Sequence, residues 1–311
     1  MRRVVLSVTL LVALALPATG AASSYSQLIV FGDDLSDNGN LFAATGYPPF
    51  PYAQRFSNGP VAVEYLAASL GIPLLDLAYG GATTGPANLL NTTAPELGGN
   101  LPGMAQELST YVASLGGGPA DPNALYLVMG GHNDVFNARA LNQDPGAALA
   151  TAAGNMTGIV NALFALGAQY VVVPGMLDLG LMPAFAANPA GGTALTNFYN
   201  GLLMGAFANS PVIYFDTAEW MRTVVANPAA FGFTNVTEPC FTSSPLFLCG
   251  STVAQQNLYL FWDGVHPTTA AHQLLANDLR QAIPDPAVPE PAILILVAAG
   301  LAGAVWRRAL R

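Results

Sequence analysis

Acidic and amide side chains crowd one short turn. Asp33, Asp34, Ser36, Asp37, Asn38 and Asn40 follow Gly32 at the end of an apolar run over 28–31. Three other stretches could complete a reaction centre. Gly80-Gly81 offers backbone N–H groups, and Gly130-Gly131-His132-Asn133-Asp134 offers a side-chain amide. Asp263-Gly-Val-His266 places a carboxylate three residues before an imidazole. A nucleophile or base, an imidazole oriented by a carboxylate, and N–H donors aimed at a developing oxyanion are what acyl transfer needs. Taken singly, the same residues have plainer roles. Gly80-Gly81 makes a turn, Gly131 to Asp134 makes a turn closed by an Asx side chain, and Asp263 caps a helix beside a surface histidine.

The elements that must carry these residues are legible. Short β-branched or apolar runs at 27–31, 74–78, 124–129, 170–173 and 212–215 read as strands. Between them, 60–70, 101–115, 147–166 and 193–208 have helical length and apolar spacing, and 270–282 closes the chain in the same way. This alternation predicts an α/β fold, a flavodoxin-like doubly wound five-stranded parallel sheet in a single domain, covered on both faces. Ligands bind such sheets beyond the carboxyl ends of the strands. The first three polar clusters fall there. The segment 85–118, rich in Gly, Asn and Thr around its helix, is expected to form a mobile rim of the site.

Of the 311 residues, 52% are hydrophobic and only 9% charged, and the formal net charge is −9. Lysine is absent. Arg2, Arg3, Arg307, Arg308 and Arg311 lie in the terminal segments, leaving Arg55, Arg139, Arg222 and Arg280 in the body. So acidic a body repels phosphate backbones, which argues against nucleic acid as a partner. Arg2-Arg3, an apolar run over 4–16 and small residues over 18–22 read as a signal peptide, 1–22. The domain then occupies 23–283, and 284–311 is a proline-rich linker followed by an apolar stretch and arginines. Export places Cys240 and Cys249 in an oxidising compartment. One local disulfide is expected, stabilising by at most ~3 kcal/mol. His132, His266 and His272 lack metal-ligand spacing. A calcium loop beginning at Asp34 would need a Glu where Thr45 stands. Neither a metal nor another cofactor is expected, and His132 and His272 read as surface or capping residues.

The order of the four polar blocks resembles that of the GDSL (SGNH) hydrolases. The resemblance spans nearly all of 23–283 and includes Arg55-Phe-Ser-Asn-Gly-Pro60 and Phe261-Trp-Asp-Gly-Val-His-Pro-Thr-Thr269. It implies hydrolysis of carboxylic esters, in the esterase, lipase or acylhydrolase class. Asp263 would orient His266, and the oxyanion donors would be the amide of residue 34, Gly81 (Gly80 as second choice) and Asn133. The nucleophilic serine of the family's Gly-Asp-Ser-Leu block is replaced here by Asp34. A carboxylate that attacks an ester forms an anhydride, which collapses back. Asp34 could instead serve as a base for water, or attack a halide or an epoxide to give an ordinary ester. Ser36 is an alternative nucleophile. A pseudoenzyme binding an acyl or glycan ligand, or a structural envelope or matrix protein, are the other readings. The C-terminal segment resembles a PEP-CTERM sorting tail, with Val288-Pro-Glu-Pro291, an apolar stretch and terminal arginines. That implies a bacterial exported protein, processed by an exosortase, transiently membrane-anchored and delivered to the envelope or extracellular matrix.

Overall fold

A computed structural model describes residues 25–285. The expected signal peptide and the sorting tail from residue 286 onward lie outside the described residues. In chain order, β1 (Leu28–Gly32) is followed by α1 (Asn40–Thr45), α2 (Ala62–Leu70), β2 (Leu74–Asp76), α3 (Leu89–Thr93), α4 (Met104–Ser114) and β3 (Leu125–Met129). Then come α5 (His132–Ala140), α6 (Pro145–Ala165), β4 (Tyr170–Pro174), α7 (Pro189–Phe207), β5 (Ile213–Phe215) and α8 (Thr217–Ala226). The last part holds β6 (Asn235–Pro239), β7 (Phe241–Ser243), β8 (Leu246–Leu248), α9 (Val253–Gln256), β9 (Tyr259–Phe261) and α10 (Thr269–Ala282).

The main sheet has five parallel strands in the order β2-β1-β3-β4-β5. This is the expected doubly wound architecture, with each predicted strand and helix found within a few residues of its sequence position. Every residue of β1 and β3 is buried. That explains their unbroken apolarity, because a central parallel strand has no solvent face to solvate. At Gly32, a Cβ would lie 2.8 Å from the Met129 carbonyl oxygen, so a side chain there would push β1 away from β3.

Two of the elements without a sequence signal are helices that follow main-sheet strands directly. The Gly131 to Asp134 stretch is the start of a helix, α5, entered through Gly131 at φ 117°. Its polar residues carry no apolar stripe, so periodicity gives no helical signal. The second is α8, which follows β5 immediately and is capped by Asp216 accepting from the Glu219 N–H. A short parallel pair, β6 with β9, and a β7–β8 hairpin lie outside the main sheet. The expected Cys240–Cys249 disulfide is formed at the base of that hairpin.

Candidate active site

The turn after β1 is built by its own acids. The Asp33 carbonyl oxygen accepts from the N–H groups of Ser36 and Asp37, and Asp33 Oδ1 accepts from Leu35 N–H. Asp37 takes N–H bonds from Gly39, Asn40 and Leu41, and a fourth from Gly80 across in the loop after β2. Asp76 accepts from Asn38 and Ala78. Burial pushes the Asp37 and Asp76 carboxyls up, and the backbone donors pull them partly back. These acids shape the loops, leaving Asp34 as the carboxylate of the turn that meets the donor groups of the site.

Asp34 Oδ1 accepts from Gly81 N–H at 2.9 Å. Its Oδ2 accepts a short hydrogen bond from the Asn133 side-chain amide, which also donates to the Ala82 carbonyl oxygen at 3.2 Å. Gly81 sits at φ 79°, a left-handed conformation open to glycine, and a Cβ there would collide with Asn88. Asn133 lies in the first turn of α5, so the positive end of that helix faces the carboxylate. Both oxygens of Asp34 thus sit on the donors that the sequence assigned to an oxyanion, with Gly81 rather than Gly80 as the glycine. The neighbouring Asp134 is turned away, fixed by the Thr84 N–H and hydroxyl. Its carboxyl is pushed up to about 6 by burial.

On the opposite wall, His266 Nδ1 lies 2.7 Å from Asp263 Oδ2. Asp263 Oδ1 accepts from the N–H groups of Val265 and His266, and the turn is closed by Trp262 N–H donating to the His266 carbonyl oxygen. The imidazole stacks on Phe56 at 4.8 Å between ring centroids. Its Nε2 faces Asp34 Oδ1 at 3.9 Å. Burial alone would lower the His266 pKa, but the Asp263 charge and hydrogen bond, with Asp34 beyond, raise it to about 9. Burial would raise Asp263, but the charge and hydrogen bond of His266, together with the N–H groups of Val265 and His266, hold it below the usual carboxylate range. Asp34 is raised by burial, against the pull of His266 and Asn133. At neutral pH the wall therefore presents an imidazolium to Asp34.

The structure brings Asp34, Gly81, Asn133 and His266 together around one cavity of about 280 Å³, with Asp263 behind His266 at its Nδ1. Its remaining surface is mostly apolar, from Phe56, Leu89, Leu90, Phe136, Met182 and Val265. Leu89 and Leu90 come from the segment expected to rim the site. Ser36 is not part of this wall. It is 1% exposed and packs against Gly32. Two histidines correct the sequence reading. His132 is buried, accepts from Leu177 N–H through Nε2, and turns Nδ1 toward Asp33 Oδ2 at 3.5 Å. His272 is 1% exposed, and its Nδ1 accepts from Ala62 N–H, joining α10 to α2. Neither is a surface residue, because each satisfies a backbone donor that loop or helix packing would otherwise orphan. Sequence reasoning also missed Tyr52, whose hydroxyl donates to Asp263 Oδ2 at 2.7 Å. A tyrosine in the proline-rich loop around it carries no sequence signal of that contact.

The chain matches the GDSL-like Lipase/Acylhydrolase family over residues 28–279. It belongs to that family. Esterase EstA of Pseudomonas aeruginosa is 31% identical over 86% of this chain and 48% of its own length. The thermolabile hemolysin of Vibrio parahaemolyticus is 26% identical over 83% of this chain and 63% of its own. The chain thus spans about half the length of the esterase it resembles. Among solved structures, a catalytic mutant of an acetylxylan esterase from Geobacillus stearothermophilus shares the fold. It has a TM-score of 0.50 and 15% identity, covering 83% of this chain and 94% of the other. Residues 287–309 match the PEP-CTERM protein-sorting motif, which implies export and sorting to the cell envelope.

Proposed function

We propose that this GDSL-family chain is an envelope-sorted protein whose pocket takes carboxylic esters by an apolar acyl group, and that Asp34 holds acyl transfer off. The observation that carries this reading is the placement of the Asp34 carboxylate on the Gly81 and Asn133 donors. A tetrahedral intermediate needs those donors for its own oxyanion, and one such donor contributes roughly 10²–10³ in rate. Here they are already satisfied by a carboxyl group of the protein. An ester can enter the cavity, but its carbonyl oxygen has no free donor pair, and attack by a carboxylate returns an anhydride to starting material. The remaining parts stay in register, with Asp263 orienting His266 and His266 facing residue 34.

The test is hydrolysis of short-chain aryl esters by the native chain beside Asp34→Ser. The native chain should bind these esters and release product near the background rate. Asp34→Ser, assayed at alkaline pH where His266 is neutral, should gain at least ~100-fold, since it frees both donors, supplies a hydroxyl and removes one of the charges that keep His266 protonated. His266→Ala in the serine variant should remove the gain. A folded Asp34→Ser protein with no gain would sink the reading, and so would fast native turnover that survives His266→Ala. The sorting tail adds a partner, an exosortase-type processing enzyme with transient retention by the membrane. Deleting 289–311 should then mislocalise the protein, and unchanged localisation would count against that part.

A further inference from the structure

We infer that Phe241, clamped by the Cys240–Cys249 disulfide, is a positioning residue that sets the Asp263 carboxylate against His266. The pair is fixed in this way whatever ligand the cavity takes, so only the rate readout rests on the ester reading. The β7–β8 hairpin does little for itself. All of β8 is exposed, with Leu246 at 79% and Phe247 at 50%. Apolar side chains left in water contribute little to holding a hairpin, which is marginal by itself. What β8 does is return the chain to Cys249. Its N–H donates to the Cys240 carbonyl oxygen at 2.7 Å, and its sulfur closes on Cys240. That holds β7, and with it Phe241, which is buried.

Phe241 joins Cys240 and Trp262 in a small buried cluster apart from the main core, with Tyr52 packed against it. Its ring stacks on Trp262 at 5.7 Å between centroids and meets Tyr52 edge-on at 5.5 Å. Tyr52 and Trp262 meet edge-on at 6.0 Å, so the three rings form one body. Both partners of Phe241 bear on Asp263. Tyr52 donates its hydroxyl to Asp263 Oδ2 at 2.7 Å, the oxygen that also faces His266 Nδ1 at 2.7 Å. Trp262 directly precedes Asp263, and its N–H donates to the His266 carbonyl oxygen at 2.7 Å. The backbone repeats the connection. Cys240 N–H donates to the Phe261 carbonyl oxygen, and Phe241 N–H to that of Trp262. The clamped strand is thus hydrogen-bonded to the two residues that lead into Asp263. A carboxylate on a free loop samples many positions. One tied to a packed ring cluster keeps its oxygen where the imidazole proton needs it.

The charges that raise His266 are Asp263 first, then Asp34 and Asp33 in the turn after β1. Of these, Asp263 is the one tied to Phe241. Disturbing the ring cluster should therefore lower the His266 titration while the other two charges stay in place.

Proton NMR titration of His266 in the full chain tests this. Phe241→Ala should move it down by at least ~1 pH unit, the scale on which a nearby opposite charge acts. Phe241→Tyr keeps the ring and should titrate as the native chain does. Dithiothreitol reduces the disulfide to two thiols and itself closes to a cyclic disulfide. The reduced chain should show the same downward move, reversed on reoxidation. In the Asp34→Ser background at alkaline pH, Phe241→Ala should cut ester turnover by up to ~100-fold, the scale of an ångström's misplacement. A merely structural Phe241 would lower the urea midpoint and leave the titration alone. Folded Phe241→Ala, or the milder Phe241→Leu where alanine prevents folding, titrating at or above the native value overturns the inference. So does a reduced chain with an unchanged His266. An Asp34→Ser chain without ester turnover sinks the ester reading only, because the titration still decides the role of Phe241.

Discussion

His266 and His272 stand six residues apart, the first mostly buried and the second fully so, and the fold drives them in opposite directions. His266 meets Asp263 at Nδ1 and Asp34 beyond Nε2, and its pKa rises to about 9. His272 accepts a backbone N–H at Nδ1, leaves Nε2 without a hydrogen-bond partner, and is pushed down to about 3 by burial with His266 nearby. Desolvation disfavours the charged form in both. Partners, and not depth, decide which imidazole is charged. One histidine thereby becomes a proton donor to a cavity, and the other a neutral pin between α2 and α10.

The strongest way to break this contrast is to remove the carboxylate that creates it. Asp263→Asn leaves the buried His266 charge without its main partner, a change that typically costs ~3–5 kcal/mol when a buried pair is broken. His266 should then titrate well below about 9 in a proton NMR titration, moving toward His272. An unchanged His266 titration would show that Asp263 does not set its charge.

The second effect is acid sensitivity. The folded pKa of His272 lies below its unfolded value, so the unfolded chain binds the extra proton first. Its contribution is complete above the ordinary histidine value and is lost as pH falls toward about 3. Between pH 6.5 and pH 4 this should cost roughly 3 kcal/mol. His272→Asn keeps an acceptor for Ala62 N–H but cannot titrate there. Urea unfolding across that range should show a flatter slope in the variant. His266 has the opposite sign. Its raised folded pKa gives a contribution complete below about 6.5 and lost as pH climbs through about 9. Native stability should therefore decline in that alkaline window, and His266→Gln should remove that part of the decline.

The smallest effect sharpens the comparison. Tyr52→Phe removes one neutral donor from Asp263 and nothing else from the relay. Stability should fall by ~1–2 kcal/mol. The carboxylate, less satisfied, should hold the His266 proton harder, so the His266 titration moves slightly upward. A downward move would mean that Tyr52 acts through ring packing against Phe56 and Trp262 instead.

Read without coordinates, the chain already declared its topology, its four polar blocks and the export context of its cysteine pair. Strands β1 and β3 announced themselves because burial on both faces demands unbroken apolar runs. The blocks were visible because glycines and amides at strand ends have few other uses, and the order of the blocks carried the family. Helix α5 was not visible, since its few apolar residues sit among polar ones without a helical stripe and its cap is Gly131. His132 and His272 were misplaced because a lone histidine carries no sign of the backbone N–H it will meet, 45 and 210 residues away in sequence.

Residue types were thus settled by sequence: an aspartate two residues after Gly32, a carboxylate three residues before a histidine, and an asparagine after a glycine pair. What those groups do to one another was decided by tertiary structure alone. The Asp34 oxygens rest on Gly81 and Asn133, 47 and 99 residues further along, and face an imidazole still more distant. Hydrogen bonds and charge interactions fall off within a few ångströms, while the chain separations that create them are set by how the sheet is wound. No local pattern encodes such a distance. The charge on His266, and with it the chemistry open to Asp34, exists only once the loops after β1, β2, β3 and β9 have converged.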